Sequence, residues 1–144
     1  RICPTGPARV NLVLSHQREI DLIELESLCD AVGWSRRPLR RVRKALQHSL
    51  LRVGLWRHDA RLPRLVGFAR SVTDFCFCCY LSDLAVDKAC QGQGIGRRLI
   101  EETRAAAGGA QTTTLLLSAP TAMTFYEGIK MPKADNCFLY RRQA

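Results

Sequence analysis

Several things are missing from this sequence, and each absence narrows its class. No apolar run approaches the ~20 residues that a membrane-spanning helix needs. The longest apolar candidate for a secretory signal core, Leu115 to Leu117, is far too short for one. Histidine is scarce: His16, His48 and His58 are scattered, and no second Cys or His pair stands at zinc-ligand spacing, which argues against a metal site. There is no internal repeat, low-complexity tract or interdomain linker. The chain also begins at Arg1 without a methionine, so we expect a fragment or a processed form, and a removed targeting peptide stays open.

The seven cysteines are an odd number, which does not suit a closed disulfide framework. Cys76, Cys78 and Cys79 fall on one strand-like run, where neighbours cannot easily reach disulfide geometry. The expectation is buried, reduced thiols in an intracellular reducing compartment, either cytoplasm or, after loss of a transit peptide, plastid stroma.

What is present describes a single domain over residues 1–144, with 1–8, rich in proline and glycine, as a loose lead-in. The chain is long enough for a real core. A hydrophobic fraction of 47% against 24% charged residues places it with globular proteins rather than disordered chains. The net charge of +9 asks for an acidic partner, whether a phosphorylated cofactor or a nucleic acid, unless it only solvates the surface.

In chain order, Val10 to Leu14 reads as a strand. Ser15 then caps a helix whose stripe of Leu22, Leu25, Leu28 or Cys29, and Val32 ends at Gly33. That helix is acidic, carrying Glu19, Asp21, Glu24, Glu26 and Asp30. Ser35 begins a second helix of opposite sign: Leu39, Val42 and Leu46 form its stripe, and Arg36, Arg37, Arg40, Arg41, Arg43 and Lys44 surround it. No aromatic residue interleaves with these charges, so recognition of bases by stacking is poorly supported. From Leu50 the period becomes two. Leu51 to Trp56, Leu65 to Val72 and the long apolar run Phe75 to Val86 read as strands, the last buried on both faces. Asp83 lies inside that run, where a carboxylate is costly unless it is paired or hydrogen-bonded. A helix from Ile95 to Ala107, a strand from Thr112 to Ser118, a short helix from Thr121 to Ile129 and a last strand from Asn136 to Arg142 complete the order.

The stretch Gln91-Gly92-Gln93-Gly94-Ile95-Gly96-Arg97-Arg98 joins the long strand to the helix after it. Three glycines at alternate positions let backbone amides approach a large ligand, and unpaired N–H groups at a helix start favour an anion. Arg97 and Arg98 have the wrong sign for the first turn of a free helix and the right sign beside a polyanion. A P-loop would need Lys-Ser/Thr after the last glycine, and a dinucleotide fingerprint would need a later third glycine and an acidic residue downstream. Neither is present. Gln91, Gly94 and Gly96 do fill the pattern Gln-x-x-Gly-x-Gly.

That pattern resembles the pyrophosphate signature of the GNAT superfamily of N-acetyltransferases. Leu84-Ala85-Val86-Asp87 before it and Phe125-Tyr126 after it fall in the family's register, and the resemblance covers roughly residues 9 to 143. The basic second helix and Val66 to Arg70 look like the cyanobacterial and plant-plastid branch. The resemblance implies an α/β fold with a mixed, mostly antiparallel central sheet flanked by about four helices, and an acetyl-CoA-dependent enzyme with no metal. By resemblance, acetyl-CoA lies in a V-shaped gap beside the long strand. Backbone groups of Leu84, Ala85 and Val86 hold its pantetheine arm. The amides of Gly92, Gln93, Gly94, Ile95 and Gly96, together with Gln91, hold its pyrophosphate, with Arg97 and Arg98 adding charge. Phe125 and Ser118 complete the donor site, Ser118 standing where many members carry Asn. Tyr126 matches the family's acid, and Asp83 is the leading base candidate, although simple alternation puts it on the face opposite Leu84 and Val86 unless a bulge intervenes. The turn after Tyr126 departs from the family, with Lys130 before Met131 and Gly128 two places earlier.

The expected reaction is direct attack of a primary amine on the thioester. The acceptor is an arylalkylamine or polyamine, or a protein lysine or N-terminus, and a homodimer is compatible with the sequence. The competing reading is a non-catalytic module of the same fold that uses residues 36–44 to grip nucleic acid or an acidic partner.

Overall fold

Five strands form one sheet in the computed structural model, which describes residues 12–58 and 62–143. They are Leu12–Ser15 (β1), Leu51–Arg57 (β2), Arg64–Thr73 (β3), Cys78–Val86 (β4) and Thr113–Leu116 (β5), adjacent in chain order. The first three pairings are antiparallel, and β4 with β5 is parallel. The α-helices among the described residues are Leu22–Val32 (α1), Leu39–His48 (α2), Ile95–Ala106 (α3) and Met123–Gly128 (α4). The parallel pair follows from α3, a crossover long enough to carry the chain back to the start of the sheet edge. This is the expected mixed, mostly antiparallel α/β architecture. The expected lead-in, with Val10 and Asn11 of the first strand and part of the turn after His58, lies outside the described residues.

Each face of the sheet has its own cluster. Val53, Leu55, Val66, Ala69, Cys79 and Leu81 pack with Ile95, Leu99 and Ile100 of α3. Trp56, Leu65, Phe68 and Ala85 pack with Leu25 and Leu28 of α1 and Leu46 of α2. Burying each leucine is worth ~1.5–3 kcal/mol, so α1 is held mainly by two side chains one turn apart.

Several elements start later than local signals indicated. Asp21, not Ser15, caps α1: its side chain accepts from Glu24 N at 2.9 Å. Ser15 Oγ instead accepts from the amides of Gln17 and Arg18, closing a turn that delays the helix. The second helix begins after Pro38 rather than at Ser35, since a residue before proline is pushed away from helical geometry. The long strand starts at Cys78 because Asp74 Oδ1 accepts from the amides of Cys76, Phe77 and Cys78 and turns the chain there. Residues 136–142 form no strand. Phe138 and Tyr140 are fully exposed, and strand propensity counts for little without a neighbour to pack on.

The thiols also depart from expectation. Cys29, Cys76, Cys78, Cys79 and Cys137 are free, but Cys76, Cys78 and Cys137 are exposed rather than buried. Cys90 is fully buried and disulfide-bonded, so a wholly reduced set does not hold.

The Asp74 turn carries a pH signature. Three backbone N–H donors lower its carboxyl pKa below the ordinary value. Its contribution to turn order is therefore complete above the unfolded value of about 3.9 and is lost as pH falls through the lower folded value. The amide resonances of Cys76 to Cys78 are expected to hold their positions at pH 5 and to shift together below about pH 4. Shifts unaffected by acid, or equally present in Asp74→Ala at pH 7, would count against the turn.

Candidate active site

The sheet opens where β4 outruns β5. Their pairing runs from Cys78↔Thr113 to Leu81↔Leu116, and beyond it β4 continues to Val86 while β5 ends at Leu116 and pairs with it no further. Asp87 N–H donates to Val66 O at 2.8 Å. Because both backbone groups of a strand residue share one edge and the edges alternate, Leu84 and Val86 turn theirs away from β3, into the opening. The Val86 carbonyl there accepts from Gln91 Nε2 at 3.0 Å, so Gln91 braces the strand end against the loop that follows it.

A bulge sits at the mouth of this opening. Arg70 pairs with Asp83 and Ser71 with Leu81, which leaves Ser82 without a partner on β3. The side-chain alternation slips by one residue there. Cys79 and Leu81 before the bulge, and Leu84 and Val86 after it, all pack in the α3-side cluster, whereas Ala85 packs with α1. The bulge lies before Asp83 and so does not bring Asp83 onto the face of Leu84 and Val86.

The glycine loop reaches α3 by two left-handed residues, Gly92 and Gly94, each with φ +79°. A Cβ built on either meets nothing within 4 Å, so conformation and the open space above the loop, not packing, are what the glycines serve. Gly94 is the N-cap and supplies no side-chain cap. The first intrahelical bond is Arg98 N to Gly94 O, which leaves the amides of Ile95, Gly96 and Arg97 for an external acceptor. The Ile95 side chain is buried in the core, Gln93, Arg97 and Arg98 are exposed, and Arg97 Nε stands 3.6 Å from Glu101 Oε1.

Gly96 has a different task. A Cβ there would lie 2.8 Å from Phe125 Cζ, so the absent side chain lets α4 close onto α3. Gly96→Ala is expected to cost about 1–3 kcal/mol of stability by overpacking, and adding Phe125→Leu should return part of it. Thermal melts of the single and double variants test this; a single variant that melts with wild type would show that the contact yields freely.

Phe125 and Tyr126 meet edge to face, with centroids 5.0 Å apart. Both border the cluster that includes Leu84 and Val86. Tyr126 is half-buried, and burial alone pushes its phenol above the usual pKa. Ser118, also half-buried, lies past the end of β5, where its hydroxyl donates to Ala119 O at 2.8 Å. Glycine loop, Leu84, Val86 and Tyr126 therefore share one side of the sheet.

Asp83 lies on the other side. Its Oδ2 accepts from Arg70 Nε at 2.7 Å, and both of its oxygens lie 3.2–3.3 Å from Arg37 Nη1. Arg37 in turn stacks on Trp34, 5.6 Å from the ring centroid. A carboxylate at this position needs a partner, and both that it has come from other elements, which its spacing in the chain does not announce.

The acids of α1 are largely engaged in the fold. Asp21 caps the helix, Glu24 accepts from Trp56 Nε1 and Leu65 N, and Asp30 pairs with Arg36 at 2.8 Å. On α2, Leu46 is buried while Arg40, Arg41, Arg43 and Lys44 are exposed, away from the opening in the sheet.

Comparison with known proteins bears on the family and the fold. The family profile described as "Acetyltransferase (GNAT) domain" matches residues 55–129, from β2 to the turn after α4. An uncharacterized ycf52-like N-acetyltransferase of Prochlorococcus marinus is 40% identical over 139 residues, covering 94% of this chain and 77% of that protein. A rice protein named serotonin N-acetyltransferase 2, chloroplastic, is 33% identical over 111 residues, covering 74% of this chain and 54% of its own length. Among solved structures, a probable acetyltransferase of Staphylococcus aureus superposes with a TM-score of 0.72 at 20% identity, covering 92% of this chain and all of that one. At that identity the likeness speaks for the fold alone. On the profile and the cyanobacterial relative, the chain belongs to the GNAT family of N-acetyltransferases.

Proposed function

We propose that the protein transfers the acetyl group of acetyl-CoA to a primary amine, with an arylalkylamine as the favoured acceptor. GNAT acetyltransferases use acetyl-CoA. The observation that carries the reading is the opening between β4 and β5, flanked by a glycine loop whose left-handed turns leave free space above three helix-start amides. A pyrophosphate suits those amides, and Arg97 and Arg98 supply charge that the bare helix start does not want. The backbone groups of Leu84 and Val86 on the open edge suit an extended amide-bearing arm. Phe125 packs against Gly96 beside the loop, and Ser118 lies just past the end of β5 as a candidate polar contact for the donor.

In the transfer, the amine nitrogen bonds to the thioester carbonyl carbon and the carbon–sulfur bond breaks. The nitrogen gives up one proton, and the sulfur gains one. Tyr126 is the residue assigned to donate its phenol hydrogen as charge grows on sulfur; its half-burial beside Leu84 and Val86 supports this. A phenol is ordinarily a weaker acid than a thiol and burial raises Tyr126 further, so full transfer is uphill and the hydrogen bond to the thiolate matters more than free acidity.

Acceptor choice follows from charge. A net charge of +9 disfavours a polycation such as a polyamine or a lysine-rich tail relative to a monoamine. Of the acids in and before α1, Asp21, Glu24 and Asp30 are engaged within the fold and so do not favour a polycation. The rice relative's name supports an arylalkylamine. Relatives from a cyanobacterium and, by name, a chloroplast also support a cytoplasmic or plastid setting, and no helix among the described residues is long and apolar enough to cross a membrane.

Thiol release from acetyl-CoA in the presence of arylalkylamines, polyamines, lysine peptides and peptide N-termini tests the reading. Release is expected to be fastest with an arylalkylamine. Preference for a polyamine or lysine peptide would overturn the acceptor assignment, and failure to bind acetyl-CoA would overturn the function.

A further inference from the structure

Arg70, on the central strand β3, reaches across to the bulge of β4. Its side chain is only 13% exposed, and its guanidinium binds three groups at once. Nε donates to Asp83 Oδ2 at 2.7 Å, Nη2 donates to Ser82 Oγ at 2.8 Å, and Nη1 donates to Ser49 Oγ at 3.1 Å. Ser82 is the residue that β3 leaves unpaired, Asp83 is the one directly after it, and Ser49 ends α2. Ser49 Oγ passes the contact on by donating to Ala45 O at 2.6 Å. Arg37, from the segment before α2, holds the same carboxylate from another side.

The bulge decides two properties of the donor site. It moves Leu84 and Val86 onto the α3 side, since a one-residue change of register turns every later side chain to the opposite face. It also lies directly after Leu81↔Leu116, the last pair joining β4 to β5, so the strands part where the bulge begins. A bulge leaves its extra residue without ladder bonds and bends its strand; something must hold that bend in one state. A planar guanidinium that forks across the extra residue, its neighbour and the end of α2 does this in a way an ammonium cannot.

We propose that Arg70 is a positioning residue that fixes the β4 bulge, and through it the edge of Leu84 and Val86 that receives the acyl donor, with Asp83 as its counter-ion rather than the proton acceptor. A carboxylate engaged by two guanidiniums has its lone pairs directed at them, on the face of the sheet away from Tyr126. The inference rests on the acetyl-CoA reading of the opening and adds the residue that shapes it.

Steady-state kinetics of the full chain with acetyl-CoA and an arylalkylamine, across pH, test the proposal. Arg70→Lys keeps the charge and loses the fork. It is expected to raise KM for acetyl-CoA about 10-fold, the scale on which small misplacements act, while the pH profile keeps its shape. Asp83→Asn keeps an oxygen for Arg70. It is expected to lower kcat by less than about 5-fold and to leave the acidic limb of the kcat/KM profile in place. Ser82→Ala leaves the ion pair intact and covers the case in which Arg70→Lys does not fold; a rise of about 3-fold in the same KM is expected. Wild-type constants in both Arg70→Lys and Ser82→Ala would overturn the proposal. So would an Asp83→Asn that binds acetyl-CoA normally, loses turnover more than about 100-fold and loses the acidic limb, since that is the signature of a base. A wild-type protein that does not bind acetyl-CoA would overturn the function itself, an outcome separate from all of these.

Discussion

Tyr126→Phe is expected to lower kcat by about 100-fold, or ~2.7 kcal/mol of barrier, while KM for acetyl-CoA stays near wild type. The reason is local. Phe fills the same volume beside Phe125 and the α3-side cluster, so the edge-to-face pair and the packing survive. Only the hydroxyl is lost. Burial raises the phenol's pKa above its ordinary value, so the hydrogen is retained throughout the neutral range and is available whenever the sulfur needs a donor. The sign of the pH effect follows: wild-type turnover should show no loss from Tyr126 ionisation until pH exceeds about 10, and Tyr126→Phe should lie below it by a constant factor up to that point. Single-turnover measurement of thiol release separates the chemical step from product release. Equal single-turnover rates in the two proteins would remove Tyr126 from the reaction and return it to the core as a packing residue.

Gly94→Val is expected to raise KM for acetyl-CoA by at least 100-fold. Gly94 is the N-cap of α3 at φ +79° and ψ 9°. A β-branched residue in that region is a genuine outlier, and strain of this kind costs about 1–3 kcal/mol. The free space around its Cβ position means that no packing clash contributes. Two effects then remain, a strained helix start and a side chain standing where the pyrophosphate would sit, and Gly94→Asn separates them. Asn tolerates the left-handed region, so its thermal melt should stay close to wild type while acetyl-CoA binding still weakens. Calorimetric titration with acetyl-CoA reads this directly. Tight binding to Gly94→Asn would mean that no ligand lies over the loop.

These effects concern the side of the sheet most legible from the chain. The pattern Gln91-Gly94-Gly96, the strand before it and Phe125-Tyr126 after it are close in sequence to the elements they serve. Local rules carried the elements themselves: period-two strands, glycine before a helix, an amphipathic α3. The roles of Gln91, Gly94, Gly96, Phe125 and Tyr126 came from the resemblance to the family. Even here the three glycines proved unequal. Gly92 and Gly94 serve backbone conformation, and Gly96 serves a contact with a helix some thirty residues on, which only packing could disclose.

The other side of the sheet depended on tertiary structure. A buried carboxylate at Asp83 was visible as a problem that needed a solution, but Arg37 and Arg70 reach it from α2's approach and from β3, and no spacing in the chain announces that meeting. The bulge at Ser82 is likewise a property of register between two strands rather than of either one. Ser15 and Ser35 looked like caps because capping is judged locally, yet the turn at Ser15 and the proline at 38 moved both helix starts. Residues 136–142 had strand composition and no partner to make it a strand. The sequence by itself therefore determined the order of elements from β1 to α4, the family and the glycine loop to which the donor is assigned by proposal. Only the fold decided which face each side chain takes, which charges cancel and where β4 and β5 part, because those depend on long-range pairings whose energy appears only when distant segments meet.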